Sequence, residues 1–320
     1  MRQIIVSVAA LGLALAMVSS ANAAGQATRS MAEEYATAED AFRDGRPDVG
    51  VQALDRAAAQ GSLHAMLRLG NIYREGKQVA KNELKACELY RVAAERNARL
   101  DKFYAAAHLV AEAFRRAGTC YAKGLPVPGW EKNASLAADF YHQAGVMLDD
   151  PIALYELGKL YLTGNGPMQN ATVAVRFLEA AARKRYPPAQ GMLGALMWEG
   201  KVIKQRPVPG LALLILGKDA ATPEDRIWIA RSYEEALLTA SKDLEIEALA
   251  LVEKWRSVYG DPAGKTMQTP SVPMAADVPT PTRGRSKDND APAKLHGGQD
   301  AARYGSQPAS ATIVEPQPQE

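Results

Sequence analysis

The chain has 320 residues, 47% of them hydrophobic and only 7% aromatic, with 38 Lys and Arg against 36 Asp and Glu. A formal charge of +2 gives no reason to expect nucleic acid or an anionic membrane surface as partner. Two cysteines and four histidines without shared ligand spacing argue against a metal site.

In chain order, the first element is a targeting segment. Arg2 supplies a positive charge, Ile4–Val18 is apolar, and Ala21-Asn22-Ala23 has the small residues of a cleavage site. The apolar stretch is shorter than the roughly 20 residues a membrane span needs. Residues 1–23 are therefore expected to be a signal peptide removed after Ala23, leaving an exported chain that is not membrane-anchored. The first cysteine is Cys87, so no N-terminal lipid attachment is expected after cleavage. Residues 31–60 read as a degenerate capping pair of helices, Ala32–Phe42 and Pro47–Gln60, separated by Asp44-Gly45.

Residues 61–218 repeat a phrase four times. Leu69-Gly70 precedes Tyr73 and Gly76; Ala117-Gly118 precedes Tyr121 and Gly124. Leu157-Gly158 precedes Tyr161 and Gly164; Leu193-Gly194 precedes Met197 and Gly200. Ala65, Ala113, Ala153 and Ala189 stand five residues before each first glycine. Ala65, Leu69, Gly70 and Tyr73 share one face of a helix, and the small residues admit a second helix closely. The final glycine falls where the helix must stop with φ > 0. A second phrase follows: Ala86, Tyr90, Ala93 and Ala94 correspond to Ala137, Tyr141, Ala144 and Gly145, then to Ala174, Leu178, Ala181 and Ala182. Such helix pairs bury their apolar faces only by stacking.

Beyond the repeats, Thr222 and Pro223 open a helix, and the stripe through Leu244, Ala248, Leu251, Val252 and Trp255 makes another. Residues 222–259 form a C-terminal capping helix pair in this reading. Residues 261–320 hold nine of the 19 prolines and few apolar residues, the composition of a disordered tail. No strand pattern appears, and the fold class expected is all-α, a solenoid of helix-turn-helix repeats. No H-E-x-x-H, G-x-S-x-G or phosphate-cradling glycine loop is present, so neither a catalytic residue nor a cofactor is expected. Cys87 and Cys120 both fall on apolar positions of consecutive helices. A disulfide and a pair of buried free thiols are both open.

The phrase A-x-x-x-L-G-x-x-Y-x-x-G with its alanine-rich second helix resembles the Sel-one-like repeat, a relative of the tetratricopeptide repeat. The resemblance implies a superhelix whose first helices line a groove. Counted from each phrase glycine, the groove candidates include Arg68, Asn71, Arg74, Arg115, Arg116, Lys123, Tyr155, Lys159 and Trp198. Cations outnumber acids there, and Arg and Trp are common interface anchors. The ordinary alternative is a solvated helix face.

The leader, the long second copy with Ala111-Glu112-Ala113-Phe114, the run Leu193–Gly200, and Arg226-Ile227-Trp228-Ile229 also resemble a narrower family. These are the periplasmic negative regulators of exopolysaccharide production (ExoR) of rhizobia and their relatives. That resemblance implies a periplasmic location and a partner in the periplasmic domain of a membrane sensor histidine kinase. It further implies repression of exopolysaccharide synthesis. The rival classes are a soluble periplasmic scaffold of a polysaccharide secretion machine and a cysteine-rich repeat enzyme. The second would carry a cysteine pair in most repeats.

Overall fold

The computed structural model describes residues 30–99, 102, 103, 105–164 and 169–259. The expected leader and the expected tail lie outside the described residues, as do Asn165–Met168. Among the described residues there are twelve α-helices and no strand. They are α1 (Met31–Arg43), α2 (Pro47–Ala59), α3 (Leu63–Glu75), α4 (Glu83–Arg96), α5 (Ala107–Lys123) and α6 (Ala134–His142). Then come α7 (Pro151–Thr163), α8 (Ala171–Arg183), α9 (Pro187–Glu199), α10 (Pro207–Ala220), α11 (Pro223–Leu237) and α12 (Lys242–Tyr259). A π-helical turn, Gln143–Met147, extends α6. Each helix from α1 to α10 packs on its neighbours in the chain, giving a stack of five pairs.

The phrase residues explain the pairing. Ala65, Ala113, Ala153 and Ala189 are fully buried, so the helices meet without side chains between their backbones. A Cβ on Gly70 would lie 2.6 Å from the Tyr90 ring, and one on Gly118 would lie 2.8 Å from Tyr141. The glycine is thus the slot that receives the large residue of the second helix. In the third repeat Gly158 receives Leu178 in the same way. Gly76, Gly164 and Gly200 end their helices in the left-handed region, at φ of 69°, 66° and 68°.

The start of each second helix is also repeated. Asn82, Asn133 and Asn170 are N-caps whose side chains accept from Lys85, Leu136 and Val173 amides. Their own backbone N–H groups donate to the carbonyls of Tyr73, Tyr121 and Tyr161 at 2.8, 2.8 and 3.0 Å. One residue therefore satisfies an orphan donor of its own helix and ties it to the helix before. In the fourth repeat Arg206 donates to the Met197 carbonyl but makes no side-chain cap.

Tertiary packing adds detail in two places. The C-terminal helices are not a hairpin like the others: α11 lies on α9 and α10, and α12 lies chiefly on α10. Ile229, Ala236, Ala248 and Val252 all enter the same cluster as Leu211 and Leu214 of α10, whose run of eight buried residues can serve both. Of the alternatives open for the cysteines, the structure has the disulfide. Cys87 of α4 and Cys120 of α5 are joined with 5.9 Å between Cα atoms.

Candidate partner-binding surface

The candidate residues lie on α3, α5, α7 and α9, the first helices of the repeats, and most of them are engaged within the protein. Arg68 forms an ion pair with Glu39 of α1 at 2.6 Å. Its guanidinium lies 5.8 Å from the Tyr35 ring and 5.4 Å from the Phe42 ring, so it fastens the first repeat to the cap. Arg115 donates to Asp150 at 3.4 Å across 35 residues. Asp150 also caps α7 by accepting from the Ala153 amide at 2.8 Å. Arg116 donates to Glu112 at 2.7 Å and lies 5.6 Å from the Tyr90 ring. Lys159 pairs with Glu156 and sits 5.0 Å over Tyr155. Tyr155 itself is only 9% exposed and meets Tyr186 edge-on at 5.4 Å.

Asn71 has a packing role. Its Oδ1 accepts from the buried Tyr90 hydroxyl at 2.7 Å, and Thr119 does the same for Tyr141 at 3.1 Å. A ring passed through a glycine slot brings its hydroxyl to the first helix, where a buried phenol needs an acceptor. Burial raises the Tyr90 and Tyr141 pKa values, and the Arg116 and Arg74 cations near Tyr90 work against the rise there. Both hydroxyls therefore remain donors at neutral pH.

Arg74 and Lys123, at the ends of α3 and α5, stay exposed. Arg74 is held loosely by Glu75 at 3.4 Å. Trp198 is half-buried against the cluster of α10 to α12. A cleft of about 200 Å³ opens beside this face, lined by Arg68, Asn71, Ile72, Glu75, Lys77 and Gln78. The surface is thus a floor of neutralised pairs with two exposed cations at the helix ends and one partly exposed indole. The Glu112–Arg116 and Glu156–Lys159 pairs were legible at i, i+4 and i, i+3 spacing. The Glu39–Arg68 and Arg115–Asp150 contacts join different helices, and no local pattern announces them.

Chemically, such a surface can offer shape, hydrogen bonds and charge to a macromolecule. Among the described residues no group of three or more His, Cys, Asp or Glu could hold a metal ion. No helix among them is long and apolar enough to cross a membrane.

A family model described as the Sel1 repeat matches residues 63–97, 111–145 and 151–186. These residues carry three Sel1 repeats. The three matched segments coincide with α3–α4, α5–α6 and α7–α8, and the pair α9–α10 continues the stack. An exopolysaccharide production negative regulator of Rhizobium meliloti (strain 1021) is 28% identical over 207 residues, 63% of this chain and 74% of the relative. A protein of the same name from Rhizobium leguminosarum bv. viciae is 25% identical, over 63% of this chain and 73% of the relative. Among solved structures, a Sel1 repeat protein from Oxalobacter formigenes superposes with a TM-score of 0.50 at 22% identity. That match covers 65% of this chain and 79% of the other, and it shows the fold alone.

Proposed function

We propose that this chain is a negative regulator of exopolysaccharide production, acting in the periplasm by binding the periplasmic domain of a membrane sensor histidine kinase. The observation that carries the reading is the match to two relatives named as such regulators over 207 residues. The first-helix face supports it, because a repeat array whose repeated positions are spent on packing acts by what it holds. We infer that the protein is a non-enzymatic binding module, and that the kinase stays inactive while bound.

Arg74 and Lys123 are the contacts of choice on this face, since both are exposed and the loss of Arg74 breaks only its long surface contact to the adjacent Glu75. Charge of this kind steers encounter and selects partners more than it adds affinity. The experiment is the double reversal Arg74→Glu with Lys123→Glu. Exopolysaccharide should rise toward the level of a deletion strain, while the variant keeps its helical signal and periplasmic abundance. Full repression by a folded variant would refute this face as the contact. A deletion that abolishes exopolysaccharide export would replace the regulator with a secretion scaffold.

A further inference from the structure

Charge is distributed unevenly along the array. Residues 61–218 hold 22 Lys and Arg against 13 Asp and Glu, an excess of nine cations. The first pair, residues 31–60, has three bases against seven acids, and residues 219–259 have five against nine. A basic body is therefore flanked by acidic ends.

One part of the basic body stands out structurally. Arg206 occupies the N-cap place held by Asn82, Asn133 and Asn170 in the other repeats, and it forms no cap. An uncapped start gives up about 1 kcal/mol that asparagine would supply. Its guanidinium joins Arg176 and Arg183 around Glu179, which burial shifts toward protonation despite the three cations. Arg176, Lys204 and Arg206 are exposed and make no ion pair among the described residues. Val202, 47% exposed, stands between Lys201 and Lys204. This is a basic surface with an apolar element, whose charge is offset in part by Glu179 and, at Lys201, by Glu199.

The acidic C-terminal end has the complementary character. A terminal unit of a repeat array normally turns a polar face outward. Here Ile227 is 73% exposed, Leu238 85%, Ile246 56% and Leu249 46%. Ile246 and Leu249 lie one turn apart on α12, beside exposed Glu247 and Glu253.

We propose that two copies of this chain associate through this end, the acidic apolar face of α12 in one copy docking on the basic face around Val202 and Arg206 in the other. The two patches share α10, which Arg206 opens and on which α12 packs. One two-fold axis can therefore satisfy both contacts at once, which closes the assembly as a dimer. Apolar burial supplies affinity, and the opposite charges fix orientation.

Sedimentation equilibrium of the protein over about 1–100 μM tests this. A dimer is expected that weakens as salt rises, because exposed charges are screened. Ile246→Ser with Leu249→Ser should raise the dimer Kd at least about tenfold without changing the helical signal, since both side chains are at the surface. Arg176→Glu with Arg206→Glu should also dissociate, and so should Glu247→Arg with Glu253→Arg. Mixing these two charge-reversed proteins should restore a dimer, because each then meets its opposite on both sides of the axis. A monomer across the whole range at low salt would overturn the proposal. So would a dimer indifferent to these variants, a mixture that stays monomeric, or growth into longer assemblies.

Discussion

Gly70 and Tyr90 form a slot and its filling, and Gly70→Ala tests that relation. The added Cβ would stand 2.6 Å from one Tyr90 ring carbon and 3.0 Å from the next, well inside contact distance. The ring is 1% exposed and its hydroxyl is tied to Asn71, so it cannot swing away freely. Overpacking of this kind costs about 1–3 kcal/mol. Alanine also repays about 1 kcal/mol through helix propensity. The single variant is therefore ambiguous by itself, and the quantity to measure is the coupling with Tyr90→Ala. In that background the ring is gone and Gly70→Ala should stabilise by about 1 kcal/mol. The double-mutant cycle should return a coupling of about 1–3 kcal/mol. Urea denaturation followed by circular dichroism supplies the four stabilities, with Tm values as a second measure. Additive effects within about 0.5 kcal/mol would refute the slot.

Other consequences follow from the same geometry. Replacing Cys87 and Cys120 together by Ala should cost about 4 kcal/mol, the loop-closure value for the 33-residue separation. The wild type under reductant should then approach the variant's urea midpoint, and a wild type insensitive to reductant would deny the bridge. Gly164→Val places a β-branched residue at φ 66° and should cost about 1–2 kcal/mol in thermal melts. Asn133→Ala should cost about 1 kcal/mol, whereas Arg206→Asn should gain up to a similar amount by restoring the missing cap. His64 and His142 are held below the usual 6.5 by burial, with His108 adding to the effect on His64. Their folded forms bind protons less readily than the unfolded chain, so stability should fall as pH drops below about 6.5. His142→Gln should flatten that slope, and a slope unchanged by the substitution would assign it to other groups.

The repeat itself was legible in the sequence because its requirements are local. A helix face needs its small residues at i, i+4 and i+5, and a left-handed helix end needs glycine. Ala65, Gly70 and Gly76 announce both before any coordinates exist. The same logic placed the helix of Pro223 behind Thr222, and it left the cysteine pairing open because Cα separation is a tertiary quantity. The capping asparagines were equally local, nine residues after Tyr73 and Tyr161, and the variable loop before Asn133 obscured the pattern.

The candidate surface was legible only as a set of positions. Sequence spacing put Arg68, Arg115, Arg116 and Lys159 on the right helices, but it could not say which of them had carboxylates opposite. Whether a cation faces a partner or fastens two repeats depends on Glu39 and Asp150, 29 and 35 residues away, and only stacking brings them near. The C-terminal helices make the same point. Periodicity fixed that α11 and α12 are amphipathic, and tertiary structure decided that both press on α10. That choice turns Ile246 and Leu249 outward, as the stacking of α4 on α5 joins Cys87 to Cys120 across two repeats. Local backbone chemistry is encoded residue by residue, whereas charge pairing and burial are settled between segments distant in the chain, where every candidate competes for the same faces.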